Sequence, residues 1–341
     1  MILVDALYIN DSGGLVLLKY LIAKLEETNA KVFYLLDERI KIGFKSIAPN
    51  RQIFLKASLK NRLSFYLKSK NKYENILCFG NIPPPIKTKA EVYTYFHNVL
   101  YFEQKIHGNR LTNLVFKLKK YYINKTKQNT DFWIVQTDPV KKNLQKNFSL
   151  APSNILIKPF FKFNVSRDFN KTRINNSFIY VSNSYPHKNH KILLHTWERL
   201  IDSGFYYPLH LTIPKEEKQF EEIIETLNKK GGNIVNHGLV DQSELVELYS
   251  VCEYLVYPSL KESFGLGLIE GGVAGCKIIA SDLPYVYEVV RPHEVFNPYD
   301  IDSMIESIKR AMTNHEDLTK VLVKNNIDDI IKLLCLKTKP F

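Results

Sequence analysis

The sequence has few cysteines and lacks any hydrophobic run long enough to cross a membrane. Its 341 residues include four cysteines, which are scattered through mostly apolar stretches without paired spacing. The sequence therefore predicts buried free thiols and neither a disulfide framework nor a zinc site. The longest apolar runs are far short of the roughly 20 residues that a membrane-spanning helix needs. The opening MILVDALYI has a strand pattern without a basic leader and cleavage site, so we expect a cytoplasmic protein.

Carboxylates are scarce in the first half of the chain. Residues 1–164 contain 27 Lys and Arg against 11 Asp and Glu, a balance of +16, whereas the remainder contains 20 against 24, a balance of −4. This asymmetry indicates an anionic partner for the first half, and a membrane surface, a phosphorylated acceptor and nucleic acid are the options. A solvated lysine-rich surface would explain the charge without any partner. No motif interleaves aromatic and basic residues, so we expect no nucleic-acid partner.

The length and the order of the predicted elements favour two α/β domains. Hydrophobic residues make up 45% and charged residues 24% of the chain, as in folded proteins, and its length suffices for two cores. Strand patterns alternate with helical patterns, which is typical of doubly wound parallel sheets. We expect a first domain at residues 1–164, a linker at 165–176, a second domain at 177–314, and a C-terminal segment at 315–341 whose helix packs back on the first domain.

The rest of the chain is organised around YPSLKESFGLGLIEGGVAGCKIIASD, residues 257–282, which reads as a strand, a tight loop, a helix and a second strand. Ser263 is the predicted helix N-cap, and glycines leave the first turn bare of side chains. Free N–H groups and the positive end of the helix dipole suit a phosphate. Glu262 and Glu270 lie on either side of this anion site and could accept hydrogen bonds from paired sugar hydroxyls. An ordinary βαβ unit with surface glutamates is the simpler alternative.

Glu262 and Glu270, separated by seven residues and with FGL after the first, resemble the E-x7-E element of the retaining nucleotide-sugar glycosyltransferases of family four. The resemblance implies the GT-B fold, in which two Rossmann-like domains with parallel sheets face each other across a cleft. It implies that Glu262 holds hydroxyls of the transferred sugar and Glu270 those of the ribose. It also implies that the backbone of Phe264, Gly265 and Leu266 holds the donor phosphates.

Further motifs in the second half extend the resemblance. Lys188 matches a lysine that holds the donor pyrophosphate in that family, and the backbone near Val240 matches a loop that holds the nucleotide base. Asn183 stands where the family usually has arginine, and a neutral amide binds phosphate more weakly than a guanidinium does. A base such as His187 or His190 could compensate for the missing cation. A solvated lysine is the alternative for Lys188.

The first half contributes Gly13 and Gly14, which are predicted at a βα turn, and His97, which follows a strand. Ligands of parallel sheets gather at the carboxyl ends of strands. By resemblance, the two glycines approach the donor diphosphate or the acceptor, and His97 lies near the transferred sugar. The alternatives are a helix-start turn that needs positive φ for the glycines, and for His97 a hydrogen bond to a neighbouring carbonyl.

The sequence thus predicts a retaining hexosyltransferase that moves a sugar from a nucleotide-diphosphate donor to a hydroxyl of an acceptor glycan. The resemblance suggests bacterial-type surface polysaccharide or lipopolysaccharide synthesis, with a lipid-linked acceptor at the inner face of the plasma membrane. No cofactor is expected, and no metal would be required, since helix ends and Lys188 can carry the charge of the leaving diphosphate. Asp300 and Asp302 form a DxD, but they fall at a helix start, where aspartate caps the helix. The alternatives are a weak or inactive GT-B subunit that binds a partner, a nucleotide-sugar epimerase, and an inverting transferase.

Overall fold

The protein is described from a computed structural model, which covers residues 1–44, 46–69, 71–102, 110–162, 172–314, 316 and 318–336. The chain divides into two compact units. Unit 1 consists of Met1–Lys162 and Lys324–Phe341, and unit 2 consists of Phe163–Val323. Residues 165–171 of the predicted linker lie outside the described residues, and the last residues of that linker belong to a strand of unit 2.

Unit 1 is built on a seven-stranded sheet in which all neighbouring strands are parallel. Its central strands are buried on both faces, which explains their nearly continuous apolar sequence. The strands, which pair in the order β3-β2-β1-β4-β5-β6-β7, are β1 (Ile2–Ala6), β2 (Val32–Asp37), β3 (Gln52–Leu55), β4 (Asn75–Cys78), β5 (Glu91–Tyr95), β6 (Phe132–Val135) and β7 (Ile155–Ile157).

Helices cover both faces of this sheet. The first four are α1 (Ser12–Glu26), α2 (Leu59–Ser69), α3 (Arg110–Thr126) and α4 (Asp138–Phe148). The crossovers through α2, α3 and α4 run across the sheet in one direction and the α1 crossover runs in the other. Since parallel crossovers are right-handed, α2, α3 and α4 share one face and α1 lies on the opposite face.

Unit 2 has a second parallel sheet, with strand order β10-β9-β8-β11-β12-β14, and a short antiparallel pair formed by β13 and β15. Its strands are β8 (Ile174–Tyr180), β9 (Leu209–Leu211), β10 (Ile234–Asn236), β11 (Cys252–Tyr257), β12 (Lys277–Ser281), β13 (Val290–Arg291), β14 (Glu294–Phe296) and β15 (Lys320–Val321). Its helices are α5 (His190–Asp202), α6 (Lys218–Lys229), α7 (Gln242–Val251), α8 (Leu266–Ala274), α9 (Pro284–Val289) and α10 (Ile301–Thr313).

The last helix, α11 (Ile327–Cys335), belongs to unit 1 and packs against α1 and β4. The side-chain amide of Asn75 donates to the Leu334 carbonyl at 2.8 Å, and Lys158 pairs with Asp329 at 2.6 Å. Of the four free cysteines, Cys335 is exposed, so the expectation of buried thiols is wrong at this position. The reason is that Cys335 ends a helix that is buried along one side only.

A buried ion pair fixes the carboxyl end of the unit 1 sheet. Arg62 of α2 is 1% exposed, and its Nε donates to Asp5 Oδ2 of β1 at 2.7 Å. Its other nitrogens donate to the carbonyls of Ile82 and Pro83 at 2.9 and 2.7 Å. Tyr66 donates to the same carboxylate oxygen at 2.8 Å. One guanidinium therefore connects a helix, a strand and the loop that follows β4.

The substitution Arg62→Met is expected to lower the free energy of unfolding by about 3–5 kcal/mol, because it leaves the Asp5 carboxylate buried without its partner. Chemical denaturation followed by circular dichroism measures this change. Lys60→Met, on the exposed side of the same helix, is the control and is expected to stay within about 0.5 kcal/mol of the wild type. A loss for Arg62→Met no larger than that of the control would contradict a structural role for the pair.

Candidate functional site

The helix α8 begins directly after a left-handed glycine. Gly265 is the N-cap residue with φ +74°, and as a glycine it has no side chain that could cap the helix. The prediction that Ser263 is the N-cap is therefore wrong, since the chain passes through the left-handed region two residues later. Glycine adopts this conformation without steric cost. The Leu268 N–H donates to the Gly265 carbonyl at 3.0 Å, whereas the amides of Leu266 and Gly267 precede the first carbonyl of the helix and are suited to an anion.

Glu262, three residues before Gly265, forms an ion pair with Lys188. Lys188 Nζ lies 2.6 Å from Glu262 Oε1, and the two side chains are 15% and 11% exposed. The Tyr257 hydroxyl donates to the same oxygen at 3.0 Å. The structure thus brings together the predicted phosphate cation and the predicted sugar-binding carboxylate, although 74 residues separate them in sequence.

The Lys188 segment is held by backbone groups of the loop after β11. The N–H of Leu260 donates to the His187 carbonyl at 2.7 Å, which ties the 3₁₀ helix Pro186–Lys188 to this loop. The buried Tyr180 hydroxyl lies 2.8 Å from Ser259 Oγ and donates to the Lys188 carbonyl at 2.9 Å. These bonds run between the carboxyl ends of β8 and β11, which are neighbours in the sheet.

Burial acts on the two glutamates with different results. It tends to raise the pKa of Glu262, but the Lys188 ammonium outweighs it and lowers that pKa below its usual value. Among the described residues no such cation acts on the half-buried Glu270, and burial raises its pKa to about 7, with a smaller opposing effect from the Tyr249 hydroxyl. Glu262 is therefore a carboxylate near neutral pH, whereas Glu270 is divided between its two protonation states.

Two tyrosines that the sequence analysis did not single out each interact with one of the two glutamates. A Cβ placed on Gly267 would lie 3.1 Å from Cε2 of Tyr257 and 3.4 Å from the hydroxyl of Tyr249. Tyr257 bonds to Glu262, and Tyr249 interacts electrostatically with Glu270. Gly267 is thus needed for close packing against the tyrosines. Both tyrosines lie in regular elements whose apolar pattern gave no sign of a polar role.

Asn183 and Val240 are half-buried in loops of unit 2. The Asn183 Oδ1 accepts the Tyr185 N–H at 3.4 Å in a local turn. The side-chain NH2 group of Asn183 is therefore the part that could donate to a ligand. Val240 directly precedes Asp241, which caps α7 in a capping box with Glu244. In the described part of the chain, no hydrogen bond joins Asn183 or Val240 to the Lys188–Glu262 pair.

His190 cannot supply the missing cation. Its ring is 2% exposed and lies 5.0 Å from the Tyr180 ring and 5.5 Å from the Phe220 ring. Burial and the Lys188 charge lower its pKa to about 3, so the imidazole is neutral near neutral pH. The hypothesis that His190 compensates for Asn183 is therefore wrong, because the core admits this ring only without its charge.

In unit 1 the structure brings His97 and Gly14 together. A Cβ on Gly14 would lie 3.3 Å from His97 Nε2. Gly13 and Gly14 lie in the first turn of α1, which begins at Ser12, and neither has positive φ. The alternative of a turn needing positive φ is therefore wrong for both glycines. Gly14 instead leaves the space that the imidazole occupies.

His97 is held as a neutral imidazole. Its backbone N–H donates to Asn81 Oδ1 at 2.7 Å, and its ring lies 5.2 Å from the ring of Tyr95 and 5.7 Å from that of Phe79. Burial lowers its pKa to about 4. Among the described residues, the buried Nδ1 has no hydrogen-bond partner. His97 can therefore exchange hydrogen bonds with a ligand near neutral pH but carries no charge there.

Two more buried polar groups follow the same strands. The Tyr95 hydroxyl and the Gln136 side-chain nitrogen have no hydrogen-bond partner in the described part of the chain. Tyr95 ends β5 and Gln136 follows β6, so both lie at the carboxyl edge of the sheet. The sequence analysis passed over them, although position directly at a strand end, the signal used for His97, applies to both.

The DxD motif caps a helix. Asp300 accepts the N–H groups of Asp302 and Ser303 at the start of α10, and Asp302 pairs with Arg199 at 2.6 Å. Within the described residues, no group of three or more His, Cys, Asp and Glu side chains is arranged to hold a metal ion. In the same residues, no helix combines the length and apolar character needed to span a membrane.

Residues 163–329 match the family model of glycosyl transferases group 1. This segment contains Lys188, Glu262 and Glu270. Among curated proteins, the chain is 28% identical over 134 residues to the serotype-specific mannosyltransferase WbdA of Escherichia coli, which covers 38% of this chain and 16% of WbdA. It is 29% identical over 173 residues to the O-antigen chain mannosyltransferase RfbU of Salmonella typhimurium, covering 50% of this chain and 48% of RfbU. The chain thus spans half or less of these relatives.

Solved structures show the fold. WaaG, a glycosyltransferase involved in lipopolysaccharide biosynthesis, superposes with a TM-score of 0.70 at 14% identity over 98% of this chain and 100% of that chain. Sucrose-phosphate synthase of Thermosynechococcus elongatus gives 0.70 at 16% identity, covering 92% and 90%. HepE of Anabaena, in complex with UDP and glucose, gives 0.67 at 13% identity, covering 98% and 95%. The chain has the GT-B fold, which confirms the predicted fold class.

The raised pKa of Glu270 predicts a pH dependence of stability. Glu270 loses its proton near its ordinary pKa of 4.5 in the unfolded state but only near pH 7 in the folded state. The free energy of unfolding therefore falls as pH rises between these two values, by at most about 3 kcal/mol. Glu270→Gln is expected to remove this fall. Unfolding free energies of both proteins between pH 5 and pH 8 test it.

The exposed Glu225→Gln is the matched control for this measurement and is expected to keep the wild-type pH profile. Parallel profiles for the wild type and Glu270→Gln would show that the Glu270 pKa is not raised in the folded protein.

Proposed function

We propose that the protein is a retaining glycosyltransferase that moves a sugar from a nucleotide-diphosphate donor to a hydroxyl of an acceptor glycan. The observation that carries the proposal is the Lys188–Glu262 pair together with the start of α8 at Gly265, three residues after Glu262. Glu262 and the first amides of α8 follow one another in the chain and Lys188 pairs with Glu262, an arrangement that would suit a ligand with phosphates next to sugar hydroxyls. The family match over residues 163–329 covers every residue of this group.

The chemistry proposed for this group is stabilisation of the departing diphosphate. The first amides of α8 and Lys188 would hold the charge that develops as the bond between sugar and phosphate breaks. Lys188 now pairs with Glu262, so a bound diphosphate would take over the ammonium and release the carboxylate for sugar hydroxyls. We propose that Glu270 binds the ribose, Val240 the base through its backbone, and Asn183 a phosphate oxygen through its amide. These groups would carry the leaving charge without a metal or cofactor.

We propose that unit 1 binds the acceptor, with the neutral His97 exchanging hydrogen bonds with the sugar or the acceptor hydroxyl. A neutral imidazole can take part in this bond without repelling a cation or attracting a second phosphate. Because a Cβ on Gly14 would lie 3.3 Å from His97 Nε2, we propose that Gly13 and Gly14 lie beside the same ligand.

The relatives' names suggest the pathway. WbdA and RfbU are mannosyltransferases, the latter of the O-antigen chain, and WaaG acts in lipopolysaccharide biosynthesis. We propose that this chain acts in surface polysaccharide or lipopolysaccharide synthesis, on a lipid-linked glycan at the cytoplasmic face of the plasma membrane. A mannose donor is the first to test.

Lys188→Met is expected to weaken donor binding on the order of tenfold or more, because a charge-assisted bond to phosphate is lost. Thermal shift with UDP, GDP, ADP and CMP sugars identifies the donor, and titration calorimetry then measures its affinity for each variant. Lys191→Met, an exposed lysine three residues on, is the control and should bind as the wild type does. Glu270→Ala is expected to abolish binding. Unchanged affinity in Lys188→Met would refute the assignment of the diphosphate.

Product analysis separates this proposal from its alternatives. Nuclear magnetic resonance of the product is expected to show the anomeric configuration of the donor sugar. An inverted configuration would indicate an inverting transferase, a changed ring stereocentre an epimerase, and donor binding without turnover an inactive subunit. Activity that persists with a chelator would support catalysis without a metal.

Gly14→Ala is expected to reduce turnover at least tenfold, because the new methyl group would press on His97 Nε2 between aromatic neighbours that leave it little room. The fold should persist, since alanine favours a helix by about 1 kcal/mol over glycine. Gly43→Ala, whose Cβ would meet only a lysine side chain at 3.6 Å or more, is the control. Equal turnover in both variants would argue against a role for His97.

A further inference from the structure

Two histidines of unit 2, neither of which belongs to the candidate site, form a hydrogen-bonded pair. His210 lies in β9 and His237 directly follows β10. Nδ1 of His210 lies 2.9 Å from Nε2 of His237, and the two rings are stacked with their centroids 5.2 Å apart. A hydrogen bond between two imidazoles needs one nitrogen to donate and the other to accept, so at least one ring must be neutral.

The pairing of β9 with β10 brings the two rings together. The strands are parallel, with His210 opposite Val235. Because side chains alternate between the faces of a sheet, His237, two residues after Val235, lies on the same face as His210. The backbone N–H of His237 donates to the Leu211 carbonyl at 2.9 Å, which extends the ladder by one bond. The contact is therefore built into the sheet, although the histidines are 27 positions apart in sequence.

His237 begins the segment that connects β10 to α7. Gly238 follows it with φ +72°, and at the other end Asp241 caps α7. Between these two anchors, the backbone groups of Leu239 and Val240 make no hydrogen bond within the described residues, and Leu239 is 79% exposed. The two ends of segment 238–240 therefore determine where its backbone groups point.

The surroundings of the pair favour neutral rings. Burial is the main cause that lowers the pKa of both histidines, and the charge of His237 lowers that of His210 further. Glu244 of α7 has a smaller, opposite effect on His237. Two more charged groups lie beside the segment. Lys215 packs against the glycine that follows His237, and Glu221 of α6 accepts a hydrogen bond from the last residue of β10 at 3.4 Å.

We propose that the His210–His237 pair positions segment 238–240 for the nucleotide base of the donor. The inference rests on the proposed function, which assigns the base to the backbone of Val240. The pair bonds the start of the segment to β9, a strand inside the sheet. When both rings are protonated, the accepting nitrogen is lost and two cations face each other, so the segment is released. Donor affinity is therefore expected to fall below about pH 6.

Hydrogen–deuterium exchange without donor tests the hold of the pair on the segment. His237→Phe keeps an aromatic ring but removes the hydrogen bond, so exchange of peptides containing residues 238–240 is expected to rise about fivefold at pH 7. His237→Gln places an amide near the former Nε2 and is expected to exchange as the wild type does. His195→Phe, which changes an exposed histidine of α5, is the matched control. Thermal unfolding of each variant checks that the fold is retained.

Titration calorimetry with the donor tests the consequence for binding. At pH 7.5, His237→Phe and His210→Phe are each expected to bind about fivefold more weakly than the wild type. The double variant is expected to bind no more weakly than either single variant, because the first substitution already removes the shared bond. His195→Phe is expected to bind as the wild type does.

The pH dependence of binding distinguishes the pair from Glu270, which titrates in the same range. His237→Gln keeps Glu270 but replaces the titrating pair by a bond to a neutral amide. Between pH 7.5 and pH 5.5, the affinity of the wild type is expected to fall about fivefold further than that of His237→Gln. A side chain that only fills space would not produce this difference.

Three results would overturn the inference. Equal exchange of segment 238–240 in the wild type, His237→Phe and His210→Phe would show that the pair does not hold it. Raised exchange with unchanged donor affinity would remove the link to the base and leave the rest of the proposed function intact. Parallel pH profiles for the wild type and His237→Gln would exclude release by protonation.

Failure of the proposed function gives a different pattern. Absence of nucleotide binding by the wild type would overturn that function and, with it, the assignment of the base to segment 238–240. The exchange measurement needs no donor, so it still decides whether the pair holds the segment.

Discussion

Parallel strands in one sheet all end at the same edge, and this constraint determines where functional side chains can meet in each unit. In unit 2, the chain segments after β8 and β11 supply Lys188 and Glu262, and the pairing of these two strands brings residues far apart in sequence to 2.6 Å. In unit 1, the ends of β1 and β5 bring Gly14 to His97. Right-handed crossovers place the helix starts beside these edges, so backbone amides join the side chains.

Buried polar groups hold these edges in place. Arg62 fixes the loop after β4, and Asn81 in this loop accepts the backbone N–H of His97. Tyr180 bonds the two segments that carry Lys188 and Glu262. A polar group inside a core is costly unless it is hydrogen-bonded, so each group restricts its neighbours to a narrow set of positions. The candidate residues are therefore positioned by buried polar groups of the core together with hydrogen bonds between the loops, such as that from Leu260 to His187.

Burial also determines which groups carry charge. His97 and His190 are both held neutral, and Glu270 is partly protonated near pH 7. Glu262 keeps its charge because Lys188 lies beside it. As a result, the main positive charge next to Glu262 comes from Lys188 and not from the buried His190, with a smaller effect from His187.

The sequence by itself determined the α/β class, the parallel order of strands and helices, and the candidate residues Lys188, Glu262 and Glu270, because apolar periodicity and short motifs are local. It also indicated the basic first half. The tertiary structure alone decided the left-handed start of α8, the neutral state of His190, and the tyrosines beside Gly267. These features depend on contacts between segments that are distant in the chain, and on burial, which the order of residues does not record.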